Sequence, residues 1–243
     1  MDRLRGGRAR SQRNRTALAA AALASAVTVL AGCGSDVPAL EFGAAKPSGP
    51  RLDAQPPQGS SLPVAQWPDA CEALGDDEIL AILPQAEDFE REPVKVTVLN
   101  FNPLTESEPG TTGDVPKGGC TTSFGLPAEY ESKHNSRVRI VFQSVADPAL
   151  VAKAYAKDRA YEAKDGGQDP EKYRDLGASL GPAGCFLKEA DQLVCHQGPY
   201  EFEVSGSSTA DGVGEYPESD KNWREEVLTE VVRTLSARMD GRP

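Results

Sequence analysis

Histidine is nearly missing from this chain: only His134 and His196 occur among 243 residues. Neither belongs to a His-Glu-x-x-His helix, and neither adjoins a nucleophile motif. There is no phosphate loop and no Ser-x-x-Lys signature, and no catalytic residue is expected. Basic residues are scarce as well, with 26 Lys and Arg against 37 Asp and Glu. Such a balance repels phosphate backbones and argues against nucleic acid as a partner. No apolar run reaches the roughly 20 residues that a membrane-spanning helix needs. Cys-x-x-Cys pairs are absent too, which removes the usual dithiol redox motif.

What is present begins at the N-terminus. Arg3, Arg5, Arg8, Arg10, Arg13 and Arg15 form a basic segment, followed by an Ala-, Leu- and Val-rich run from Thr16 to Leu30. Leu30-Ala31-Gly32-Cys33 then matches a bacterial lipobox. The pattern predicts a signal peptide over residues 1–32, removed on export by the general secretory route, with a diacylglyceryl group on Cys33. The expected location is the extracytoplasmic face of the cell membrane. Losing residues 1–32 removes six Arg and one Asp, leaving 20 basic against 36 acidic residues and a net charge of −16.

Gly34 to Gln66 is rich in Pro, Gly and Ser, as in Pro47-Ser48-Gly49-Pro50 and Pro56-Pro57-Gln58-Gly59-Ser60-Ser61. It reads as a flexible tether, residues 33–66, ahead of one domain over residues 67–243. Asp76 to Leu83 reads as a short helix, with Asp76 as N-cap and Pro84 as stop. Capping explains its three leading acids without a metal, and no metal or cofactor is expected elsewhere.

Val94 to Phe101, Cys120 to Leu126 and Arg137 to Val145 read as strands. Asp147-Pro148 opens a helix to about Lys164, with Leu150, Val151, Ala154, Tyr155 and Tyr161 as its buried stripe. Gly184 to Lys188 and Gln192 to His196 flank a polar turn. Tyr200 to Ser205 alternates strictly, which predicts an aromatic face in the core and an acidic face in water. Trp223, Val227, Val231 and Leu235, with Leu228 and Val232, give a final amphipathic helix over about 221–239. The expected fold is α+β, a single domain with a mostly antiparallel twisted sheet of five to seven strands packed by two main helices. Residues 102–119 and 206–220 read as long polar loops which, with the open face of the sheet, are expected to form the ligand surface.

Lipidation of Cys33 leaves four cysteines, an even number suited to two disulfides in an exported domain. Cys185 and Cys195 lie on strands joined by a tight turn and can oppose each other across a hairpin. That leaves Cys71 to pair with Cys120.

The lipobox, the Pro-rich tether, a Cys before a short acid-capped helix and a Gly-Cys starting a strand occur together. In this layout the chain resembles an actinobacterial family of secreted lipoproteins grouped as a domain of unknown function. The resemblance covers about Trp67 to Met239 and implies a Cys71–Cys120 bond. Thr122 stands where that family often has Trp. The chain is also similar to extracellular sensor domains of some mycobacterial kinases. The resemblance implies a compartment and a fold but no activity. Three functions are compatible with this sequence: a lipid-anchored module binding an envelope ligand, an accessory or sensor subunit of a membrane transporter or kinase, and an envelope hydrolase using paired carboxylates.

Overall fold

The computed structural model describes residues 37–98, 113–129, 132–181 and 184–239. The lipobox, including Cys33, residues 99–101 of the first expected strand and residues 102–112 of the first expected loop lie outside the described residues. The chain forms β1 (Glu87–Val98), β2 (Gly113–Gly125), β3 (Ser136–Val145), β4 (Tyr173–Gly177), β5 (Gly184–Lys188), β6 (Gln192–Gln197) and β7 (Tyr200–Ser208). These strands make one sheet in the order β1-β2-β3-β7-β6-β5-β4, and every neighbouring pair is antiparallel. Around it lie α1 (Asp76–Ile82), α2 (Pro148–Gly166), α3 (Glu218–Trp223) and α4 (Thr229–Met239), with a wider π turn at Arg224–Leu228 joining the last two. The expected α+β fold is therefore the observed one.

Period-two alternation divides the sheet into two faces. Phe142, Tyr200, Phe202 and Val204 point to one side, where Trp223, Val227, Leu228, Val231, Val232 and Leu235 are all nearly or fully buried against them. A strict four-residue step over-rotates an α-helix by roughly 40° each time, because a turn takes 3.6 residues. The π turn beneath Val227 and Leu228 takes up part of that drift. The helix begins at Glu218 after a cis Tyr216–Pro217 bond, three residues before the expected start.

Both disulfides form as expected. Cys185 and Cys195 face each other in register across β5 and β6, with Cα atoms 4.1 Å apart. Cys71 joins Cys120, linking the short turn Ala70–Glu72 to the middle of β2.

Several elements depart from the sequence pattern. Residues 113–119 are strand, not loop, because Asp114 accepts from Lys95 Nζ at 3.0 Å and from Thr97 Oγ1 at 2.9 Å across the ladder. Asp76 is the first helical residue and pairs with Arg91 at 2.6 Å. The cap position falls to Gly75, whose N–H donates to Glu78 Oε2 at 2.8 Å. Tyr161 does not join the buried stripe of α2 and is 69% exposed. Six residues on from Tyr155, it is rotated about 240° around the helix.

The largest departure is the segment read as a tether. From Val37 onward it is a strap laid across the helices and the sheet. The Gly43 N–H donates to Ile82 O at 2.7 Å, the Ala45 N–H to Glu230 Oε2 at 2.7 Å, and the Leu52 N–H to Arg238 O at 3.0 Å. Further on, Ala54 donates to the Tyr200 hydroxyl at 2.7 Å and Leu62 to Val145 O at 2.8 Å. Leu40, Phe42, Leu52, Ala54, Leu62 and Val64 pack against the main core. Pro and Gly prevent this stretch from forming a helix, but they leave its remaining N–H groups free to find acceptors on the domain.

Candidate functional site

The other face of the sheet carries the polar half of the same alternation. Glu201 and Glu203 stand there on β7, opposite His196 and Val194 of β6. Phe186 and Lys188 continue the face on β5, and Gln143 and Ser144 border it on β3. The helix that covers this face is α2, whose N-terminus is fixed by Asp147 accepting from the Ala149 N–H at 2.9 Å. Val151 and Tyr155 bury its first two turns. The Tyr155 ring packs on Phe186 at 5.4 Å and on His196 at 4.3 Å, and Gly184 leaves room for that contact. Asp158 and Glu162 follow at the helical repeat from Val151 and Tyr155, so the side facing the sheet turns from apolar to acidic.

A pocket of about 110 Å³ lies where the stripe changes character. Asp158, Tyr161 and Glu162 form one wall, Phe186 and Val194 supply apolar surface, and Gln143, Lys188, Glu201 and Glu203 complete it. Four carboxylates thus share a small space with one cation, and that cation is engaged, since Lys188 Nζ is 3.4 Å from Glu162.

Glu201 is the residue with the greatest deficit. It is only 3% exposed. Its Oε2 accepts from Ser144 Oγ at 3.3 Å, while Oε1 is buried and has no hydrogen-bond partner among the described residues. Burial pushes its carboxyl up to about 7, Asp158 adds to the rise, and the Ser144 hydroxyl opposes it. Burial likewise raises Glu203, against the pull of Lys188, Arg139 and Gln143. Asp158 is exposed as a residue, but the pocket wall takes water from its carboxyl and raises it too. His196 is held below its ordinary value by burial and by Arg159, which favours neutral imidazole beside Glu201.

The described residues of the segments expected to form the ligand surface lie apart from this pocket. Of the second loop, residues 206–208 are strand and 218–220 are helix. In the remaining stretch Ala210 and Val213 are buried and Gly212 is at positive φ against Leu40, while the residues from Gly214 to Pro217 are exposed. Part of the open face expected beside these loops is covered by α2, which packs over β4, β6 and β7, while Arg137 and Arg139 of β3 stay exposed. The acidic face of β7, expected in water, lies under that helix, so Glu201 is buried. His134 is half-buried, with Nε2 3.0 Å from Asp88 O and Nδ1 3.3 Å from Glu90 Oε2. Among the described residues no group of three or more His, Cys, Asp or Glu could hold a metal ion. None of their helices is long and apolar enough to cross a membrane.

The geometry defines a class: a disulfide-bonded α+β domain with helices on both faces of its sheet and an acid-lined pocket on the side opposite the main core. No protein-family model matches the chain, and no curated protein or solved structure matches it.

Proposed function

We propose that this chain is an exported protein, anchored to the extracytoplasmic face of the membrane through Cys33, that binds an envelope ligand in the pocket beneath α2. The observation that carries the binding reading is Glu201, which lines the cavity and whose buried Oε1 has no donor among the described residues. An unsatisfied buried acceptor costs about 1–3 kcal/mol, and more when charged. A ligand that donates to it recovers that energy. The location rests on the lipobox, and two disulfides are compatible with an oxidising compartment.

The hydrolase reading gains the shared cleft it needed. It lacks the division of labour that acid–base chemistry requires, because burial pushes Glu201, Glu203 and Asp158 all in the same direction. The accessory-subunit reading gains less. Among the described residues, Tyr161 and Tyr216 are the only large apolar side chains that are exposed, which makes no extended docking patch. A binder is the reading that uses what the pocket contains.

Two measurements test this proposal in its two parts. Labelling with a radioactive fatty acid should mark the natural protein and leave Cys33→Ala unlabelled; label retained by the variant would overturn the anchor. Native mass spectrometry of the protein released from its membrane should show a bound adduct that Phe186→Trp, which fills the pocket, removes. An adduct indifferent to that change would place the ligand elsewhere.

A further inference from the structure

Resting on the reading of this pocket as the ligand seat, we infer that its ligand is a protonated amine at the end of an aliphatic chain, with the ammonium on Glu201 Oε1 and the methylenes against Phe186 and Val194. Asp158, Glu162, Glu201 and Glu203 line the cavity, and Lys188 is committed to Glu162 at 3.4 Å. Glu203 has Gln143 Nε2 at 3.3 Å, a neutral donor. No cationic side chain among the described residues reaches Glu201, whose partners end at the Ser144 hydroxyl. The missing group is therefore a donor, and positive charge makes it a stronger one.

The choice among cations follows from size and shape. A volume of about 110 Å³ holds roughly three or four water-sized groups, taking about 30 Å³ for each. That suits an ammonium and a few methylenes, the tip of a longer molecule whose remainder leaves past Tyr161. A divalent cation needs several carboxylate oxygens converging on one point, and no such group exists among the described residues. An anion would meet four acids. The mixed lining completes the match: Phe186 and Val194 present apolar surface to a stem, and the exposed Tyr161 ring at the rim offers its face to a cation entering or leaving.

The test is a nuclear magnetic resonance titration of the lipidated protein in detergent micelles with n-butylammonium chloride. A probe of five non-hydrogen atoms is expected to bind with a Kd on the order of millimolar and to shift the Val194 methyl signals. Glu201→Gln keeps the shape and removes the charge, and it should weaken binding at least tenfold. n-Butanol, of the same length and uncharged, should also bind at least tenfold more weakly than the ammonium. Equal binding of both probes, unchanged by Glu201→Gln, would overturn the amine inference while leaving the pocket as a seat. Stronger perturbation by calcium chloride than by butylammonium would overturn it in favour of a metal. If no probe moves the Val194 methyls, the reading of the pocket as the seat fails as well.

Discussion

Replacing Glu78 with Gln is expected to cost about 3–5 kcal/mol of stability, the usual penalty for leaving a buried charge without its counter-ion. Glu78 is fully buried and holds four donors at once. Its Oε1 accepts from the Ser48 and Gly49 N–H groups at 3.0 Å; its Oε2 accepts from the Gly75 N–H at 2.8 Å and from Arg238 Nη1 at 2.9 Å. Arg238 in turn donates to Ala73 O, Glu72 O and, through Nε, to Pro50 O at 2.8 Å. One carboxylate therefore joins the strap, α1 and α4.

Burial alone would raise the Glu78 carboxyl, but the three N–H groups and then Arg238 outweigh it and hold the group low. A depressed carboxylate contributes stability above its unfolded value and loses it as the pH falls through its folded one. The natural protein should accordingly lose more stability on acidification than Glu78→Gln does. Urea denaturation at neutral and acid pH measures both effects. Because the backbone donors remain orphaned, Glu78→Leu with Arg238→Met should recover only part of the loss, and limited proteolysis should cut between Ala45 and Leu52. Full recovery in that double variant would show that the strap does not depend on this carboxylate.

Removing the Cys71–Cys120 bond by changing both residues to Ser should lower stability by about 4 kcal/mol, against about 3 kcal/mol for the same change at Cys185 and Cys195. The order comes from loop length. The first bond closes 49 residues and the second only 10, and the entropy withheld from the unfolded chain grows with the logarithm of that number. Place in the fold supports the same order. Cys185 and Cys195 sit on neighbouring strands that already pair in register. Cys71 lies in the turn before α1, and its bond ties that turn to β2. Unfolding of the two double variants under identical conditions decides the matter, and a larger loss from the short loop would contradict it.

The sheet was legible wherever alternation was strong. Tyr200 to Ser205 announces β7, and the four-residue recurrence from Trp223 to Leu235 announces the final helix. β4 was missed because Tyr-Arg-Asp-Leu-Gly offers little apolar surface to read. The strap was missed for a different reason. Its signal is three apolar pairs, Leu40 with Phe42, Leu52 with Ala54 and Leu62 with Val64, each spaced for an extended chain but separated by Pro- and Gly-rich stretches longer than a reading window. The candidate site was half legible. Glu201 and Glu203 follow from the alternation of β7, and Asp158 and Glu162 follow from the helical repeat that starts at Val151. Neither pattern states that the second lies upon the first, because only the three-dimensional crossing of α2 over the sheet brings the two acidic stripes together.

The most direct test of the incomplete pocket is a carbon-13 titration of the Glu201 carboxyl. The surroundings that set its value are Glu203 on its own strand, Asp158, Glu162 and Tyr155 on α2, Gln143 and Ser144 on β3, His196 on β6 and Lys188 on β5. Burial without a counter-charge favours the neutral acid, so the stability tied to this group is full at low pH and is lost as the pH rises to its folded value of about 7. The expected midpoint is near 7 in the free protein, falling when butylammonium is present, since a cation favours the ionised form. A midpoint below about 5 in the free protein, the range of a carboxyl in water, would mean that Glu201 already has the solvent or the partner that the pocket is held to lack.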